Sequence, residues 1–234
     1  MTEPVPALVT LHLWRVPARH VGRALAGVAL DSRALRHVEG LRFAKMLGTG
    51  RGRTFLPGDV HPCRWGLLAT WASAADARNF RGASIARRWG RISEEAWRVD
   101  LLALHSRGRW SRRAPFGAPS LSAQAGPVAV ITRARIALPK ALTFWRAVPP
   151  VAADLHGADG LRLALGIGEA PVGLQGTFSL WSSAEALNRF AYGRPAHRAA
   201  VRRTAEERWY AEELFARFAV VAAEGTVDGR DPLR

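Results

Sequence analysis

A histidine stands two residues after a proline, in the stretch Tyr192-Gly193-Arg194-Pro195-Ala196-His197. Gly193 and Pro195 break one helical pattern and start another. Proline is favoured at the first helical position, because its missing N–H would have no partner there. His197 therefore falls in the first turn, where the positive end of the helix dipole disfavours imidazolium. Neutral imidazole is the form that ligates a metal. The neighbours Ala196, Ala199, Ala200 and Val201 are small and leave room for a flat macrocycle on that face. Taken alone, the same histidine also fits a plain helix start at the surface, between Arg194 and Arg198.

Other groups with chemical potential are less convergent. Gly48-Thr49-Gly50-Arg51-Gly52 lacks the Gly-Lys-Ser/Thr ending of a phosphate loop and the GxGxxG of a dinucleotide turn. It reads as a loop shaping a site or an interface between halves. His61-Pro62-Cys63 has no second cysteine or paired histidine near it, and zinc needs three or four ligands. Cys63 reads as a partly buried structural cysteine. The pairs Glu94-Glu95, Glu206-Glu207 and Glu212-Glu213 are read as helical, where adjacent side chains diverge by about 100°. They are expected on solvated faces. No Ser/His/Asp or Cys/His triad emerges.

The elements that position these residues are bounded first by composition. A chain of 234 residues, 48% hydrophobic, can bury one large core or two small ones. A single cysteine excludes an internal disulfide and suits a reducing compartment. No basic segment precedes the first apolar run, so it does not read as a signal peptide. The longest apolar run, Phe218–Ala223, is too short for a membrane span. The expectation is a cytoplasmic protein, with peripheral membrane contact left open. The formal charge is +15, yet only Lys45 and Lys140 are lysine, so 32 of the 34 basic residues are arginine. That skew, with much Ala, Gly and Pro, looks like codon bias. The arginines are also dispersed rather than striped, which argues against nucleic acid. An anionic membrane surface remains open.

Along the chain, Leu8–Val16 reads as a strand, His20–Val38 as a helix weakened by Gly27, and Leu41–Leu47 as a strand. Arg64–Trp71 is a strand, Ser73 caps a helix at Asp76–Phe80, Ile85–Trp97 is helical, and Val99–His105 is a strand. Arg112–Pro127, rich in Pro, Gly, Ser and Ala, reads as a linker. The second half repeats the pattern. Val128–Ile136 is a strand, Pro139–Leu155 a helix broken at Pro149-Pro150, and Leu161–Ile167 a strand. Gly176–Trp181 follows as a strand, and Ser183 starts the next helix. LLATWASAADARNF (67–80) matches TFSLWSSAEALNRF (177–190), and SEEAW (93–97) matches AEERW (205–209). Gly166-Ile167-Gly168 echoes Gly48-Thr49-Gly50. In this alignment His197 falls opposite Ile85. If packing alone governed the position, both copies should be apolar.

These segments also resemble the spheroidene monooxygenase-like family, heme proteins that oxidise acyclic carotenoids. The resemblance rests on FAKMLGTGRGRTFLP (43–57), RWGLLATW (64–71), ITRARI (131–136), FWRAVPP (144–150), LGIGEAP (165–171), TFSLW (177–181), PAHRAAVR (195–202) and EERWYAEELFARF (206–218). They run in register over nearly the whole chain. The family looks like a duplicated ferredoxin-like protein of the dimeric α+β-barrel type, similar to chlorite dismutases and aldoxime dehydratases. The resemblance implies heme b in the C-terminal half, with His197 on the iron. In such a heme pocket Arg133, on a strand of the C-terminal half, could pair with a propionate or polarise oxygen from the distal side; the other reading is an arginine that merely faces solvent. Phe144, Trp145, Phe178 and Trp181 are the candidate lining of an apolar substrate pocket, with plain core residues as the other reading.

The resulting expectation is an α+β fold of two βαββαβ units. Residues 1–111 form the first, 112–127 the linker, 128–226 the heme-carrying second, and 227–234 a tail. The expected function is a heme-dependent monooxygenase acting on a hydrophobic, carotenoid-like polyene. A reductase or ferredoxin would supply electrons. Homo-oligomerisation is left open. Dehydratase or N–O chemistry of the aldoxime dehydratase type is one alternative. A non-enzymatic basic binding protein is the other.

Overall fold

The computed structural model describes residues 3–121, 125–169, 176–207 and 209–234; the side chains of Leu138, Ala196, His197, Val201 and Ala205 lie outside that description. The first half runs β1 (Leu8–Arg15), α1 (Val21–Ala34), β2 (Leu41–Gly50), β3 (Val60–Trp71), α2 (Ala74–Asn79), α3 (Ser84–Ile92) and β4 (Glu95–Gly108). The second runs β5 (Val128–Ile136), α4 (Ala141–His156), β6 (Leu161–Gly168), β7 (Gly176–Trp181), α5 (Ala184–Gly193), α6 (Pro195–Glu207) and β8 (Tyr210–Gly225). The fold is α+β with an antiparallel sheet. Among the described residues the strands close into a barrel in the order β1-β3-β2-β6-β7-β5-β8-β4. Within it the four strands of each half follow the same order, β2-β3-β1-β4 and β6-β7-β5-β8.

Two seams join the halves. The long one pairs β4 with β8 from Trp97↔Gly225 to Gly108↔Leu214. The short one pairs β2 with β6 at Gly48↔Gly168 and Thr49↔Ile167. The two echoing glycine motifs are thus strand ends that meet each other, not a loop. Glycine suits the long seam too. Gly225 has φ +87, and a Cβ there would lie 2.0 Å from the Ala96 carbonyl oxygen.

An eight-stranded barrel has an interior just wide enough to be filled by side chains. Here Val9, Leu11, Trp97, Ile131, Phe178 and Phe218 are among those that fill it. The expected linker contributes as well. Phe116 is fully buried and sets its ring edge-on to Phe218 at 4.9 Å. Val227, in the expected tail, is buried in the same core.

Two outer cores lie between the barrel and its helices. In the first half Trp14 stacks on Trp89 of α3 at 5.1 Å, and Trp89 Nε1 donates to Asp31 at 2.7 Å. Gly27, one turn before Asp31, gives the indole room, since a Cβ there would touch it at 3.4 Å. That contact explains a glycine inside α1, where it costs about 1 kcal/mol against alanine. In the second half Trp181 packs on Phe190 with Val128, Leu155 and Leu187. Ser73 and Ser183 cap α2 and α5 by accepting from Asp76 and Ala186 N–H.

Three expectations are corrected. The helix expected over Ile85–Trp97 ends at Ile92, and Glu95–Trp97 begins β4, because Arg15, Trp14 and Leu13 of β1 pair with these residues. Trp209 likewise precedes β8. Long-range pairing overrides helical propensity there. The helix expected to break at Pro149-Pro150 runs through as α4, with both prolines exposed.

Candidate active site

Equivalent strand positions in the two halves can be matched by register. Leu8 lies opposite Trp71, and Val128 lies opposite Trp181. Counting from those pairs, His12 corresponds to Thr132 and Trp14 to Ala134. Met46, opposite Leu67, corresponds to Gly166, opposite Thr177. Every one of these positions faces outward, toward the helices, and every one is smaller in the second half. Thr132 is exposed, and Thr177 is half-buried. The sheet therefore offers no large side chain where the first half packs Trp14 and Met46.

The helices above this face differ too. In the first half Ile85 and Trp89 of α3 are buried. Its counterpart α6 packs mainly on α4 and α5. α6 begins at Pro195, so His197 lies in its first turn; the imidazole itself lies outside the described residues. At the opposite end of α6, Lys140 pairs with Glu207 at 3.6 Å, and Arg203 stands over the Trp209 ring at 5.3 Å. Trp209 Nε1 donates to Thr143 Oγ1 at 3.1 Å, which ties the residue before β8 to α4.

The four aromatics expected to line one pocket separate into three places. Phe144 and Trp145 are half-buried neighbours on α4 with ring centroids 4.9 Å apart, and Phe144 also meets Trp209 and Tyr210 at 5.7 and 5.9 Å. Burial raises the Tyr210 pKa, so its hydroxyl stays protonated. Phe178 points into the barrel and Trp181 out of it, because residues three apart on a strand face opposite sides.

Arg133 is on the inner face of β5, opposite to Thr132 and Ala134. Its counterpart in the first half is Leu13. It is 5% exposed. Nη2 lies 3.0 Å from Glu169, Nη1 meets Glu212, and the guanidinium stands 5.6 Å over Trp110. Glu169 also accepts from Lys45 at 2.5 Å and from Trp110 Nε1 at 2.6 Å. Glu212 accepts the backbone N–H groups of Ser111 and Arg112. Desolvation pushes both carboxyl groups up, but these hydrogen bonds and charges outweigh it, and both rest below the usual range. Glu212 is thus no solvated helical glutamate. Glu95 is similar, accepting from Arg15, Thr226 and Gly229.

Sequence reasoning found the helix start at Pro195 but passed over the small outward residues Thr132, Ala134, Gly166 and Thr177. The signal was present in the repeat. Setting LLATW against TFSLW already opposes Leu67 to Thr177. Glu169 and Glu212 carried no such signal, because their partners come from distant strands. Cys63 is half-buried, and among the described residues no three His, Cys, Asp or Glu side chains gather as a metal cluster.

No protein-family model matches the sequence. The chain is similar to the spheroidene monooxygenase of Rhodobacter capsulatus, 34% identical over 213 residues, covering 89% of this chain and 88% of the relative. It is 37% identical over 196 residues to that of Rubrivivax gelatinosus, covering 82% and 73%. Among solved structures it is similar in fold to an aldoxime dehydratase in complex with butyraldoxime. That likeness has a TM-score of 0.58 at 11% identity, over 91% of this chain and 79% of the other.

Proposed function

The chain belongs to the spheroidene monooxygenase family and is a monooxygenase, and we propose that it uses heme b, held on the outer face of the second sheet, to oxidise a hydrophobic polyene of the carotenoid type. The observation that carries this reading is the loss of bulk on the outer face. Trp14, Met46 and Leu67 in the first half become Ala134, Gly166 and Thr177 in the second. A flat apolar group fits a sheet face so stripped, and a helix start carrying a single histidine beside it suits an iron that needs one protein ligand. His197 is the proposed ligand. Bound there, heme would supply activation of dioxygen, so that one oxygen atom would enter a C–H bond of the substrate and the other would leave as water with two electrons and two protons from an external donor.

The remaining roles belong to the chain. A first-turn position disfavours imidazolium, which suits the proposed ligand role of His197. Phe144 and Trp145, with Trp209 and Tyr210, form an apolar wall that can accept part of a polyene and keep water from it. Arg133 is engaged on the other side of β5 with Glu169 and Glu212. Its proposed role is to hold β5 and β8 in place beneath the site. The halves 1–111 and 128–226 are read as a duplicated ferredoxin-like unit of the dimeric α+β-barrel type, supported by their shared strand order. A reductase or ferredoxin is the proposed donor. Among the described residues no helix is long and apolar enough to cross a membrane.

Protein produced with heme supply should show a Soret band and consume a carotenoid-type polyene only with O2 and reductant. A colourless protein that nonetheless oxidises the polyene would refute the heme. Turnover of an aldoxime without O2 would favour the dehydratase reading.

A further inference from the structure

A cleft of about 510 Å³ lies where β1, β4 and α3 of the first half meet the end of β8. His12 and Trp14 of β1 and Arg98 of β4 form its floor, Ala86 of α3 its side, and Arg81 and Glu224 its solvent edge. Its volume lies in the range of small-molecule sites. Arg81 and Glu224 pair across that edge at 2.8 Å, both about half exposed.

Two nitrogens in the floor lack partners. His12 is 7% exposed, and its Nε2 makes no hydrogen bond. Arg98 is 5% exposed; its Nε and Nη2 reach Asp100 at 2.6 and 3.2 Å, while Nη1 has no partner. A buried donor left unpaired carries its full desolvation penalty. His12 and Arg98 stand directly opposite each other across β1 and β4. Their counterparts in the second half, Thr132 and Phe215, are likewise paired. The scaffold therefore does not require a histidine and an arginine at these positions.

The chemistry of the floor selects a ligand. Burial, with Arg98 and Arg81 nearby, pushes His12 down to about 3, so the ring is neutral and carries one N–H donor. Arg98 Nη1 is a donor on a cation, and charge-assisted hydrogen bonds to carboxylate are the strong ones. Arg81 is balanced by Glu224 and Arg98 by Asp100, so the selection rests not on net charge but on two free donors, Arg98 Nη1 and the His12 N–H, which suit the two oxygens of one carboxylate. Ala86 and the edge of Trp14, whose ring is stacked on His12 and Trp89, supply apolar surface beside it.

We propose that this cleft is a binding site for an aromatic monocarboxylate, its carboxylate accepting from Arg98 Nη1 and the His12 N–H and its ring packing against Ala86 and the edge of Trp14. The site is separate from the proposed heme face and stands whether or not that reading holds.

The test is calorimetric titration of 2-naphthoate into the full chain, alongside the neutral analogue 2-naphthalenemethanol. Saturable one-to-one binding is expected, weaker by at least about tenfold for the neutral analogue and for His12→Thr, which installs the second half's residue. Ala86→Phe fills the cleft from the helix side without touching either nitrogen. It should weaken binding equally and serves if His12→Thr does not fold. In histidine-labelled protein the His12 nitrogen resonances should move on binding. No saturable binding would mean that water alone satisfies the floor. Equal binding of the alcohol, or binding indifferent to both variants, would place the acid elsewhere on this arginine-rich surface. Any of these results overturns the proposal.

Discussion

Arg133→Ala removes the cation lying between two glutamates at one end of the barrel. The side chain is 5% exposed and engages Glu169 and Glu212 together. Removing one partner of a buried ion pair typically costs about 3–5 kcal/mol, because the other charge is left uncompensated. Two features favour the lower end. Glu169 keeps Lys45 and Trp110, and Glu212 keeps two backbone N–H donors. A loss of about 3 kcal/mol is therefore expected. For a chain of this size it lowers Tm by about 6–12 °C, at about 2–4 °C per kcal/mol. The effect should depend on pH. Both carboxyl groups have folded pKa values below the ordinary range, so their contribution is present above the unfolded value and lost as pH falls through the folded one. The gap between wild type and variant should accordingly narrow below about pH 4. Thermal unfolding followed by circular dichroism at neutral and acid pH measures both, and adding Glu212→Gln to each background gives the coupling. A Tm change under about 2 °C, or a gap that does not change with pH, would refute the assignment of Arg133 as a buried structural cation.

His197→Ala should fold with unchanged circular dichroism but purify colourless or with an altered Soret band, partly restored by added imidazole; a wild-type spectrum would show that another residue holds the iron. Gly166→Met, which installs the first half's Met46, should block heme uptake without unfolding the chain, and undiminished heme absorbance would remove the outer face of the second sheet as the site. Trp89→Ala, which empties the stack on Trp14 and leaves Asp31 to its ion pair with Arg88, should cost about 3–5 kcal/mol in chemical denaturation while heme binding is retained. Loss of heme binding in a folded Trp89→Ala protein would mean that the two outer cores are coupled.

Local signals were enough for the order of elements. Ser73 and Ser183 mark helix starts because a hydroxyl meets a free N–H within three residues. Pro195 marks the start of α6 for an equally local reason, and with it the place of His197. The matched LLATW and TFSLW segments mark β3 and β7 and disclose that the outer face of the second half is smaller.

Tertiary structure decided whatever depends on which distant strand lies alongside. Glu95 and Glu212 carry helix-compatible neighbours, yet β1 and β5 draw them into strands. Gly48-Thr49-Gly50 and Gly166-Ile167-Gly168 were visible as an echo, but only closure of the barrel makes them a seam. The faces of β5 and β7 were hidden for a related reason. Alternation reveals the inward side of a strand when the other side is wet. Here Phe178 and Trp181 are both fully buried, one in the barrel and one beneath the helices. Large aromatics thus fall on both faces of β7, so their placement alone does not mark the barrel side, and the inward direction of Arg133 becomes known only when Glu169 and Glu212 are brought to meet it.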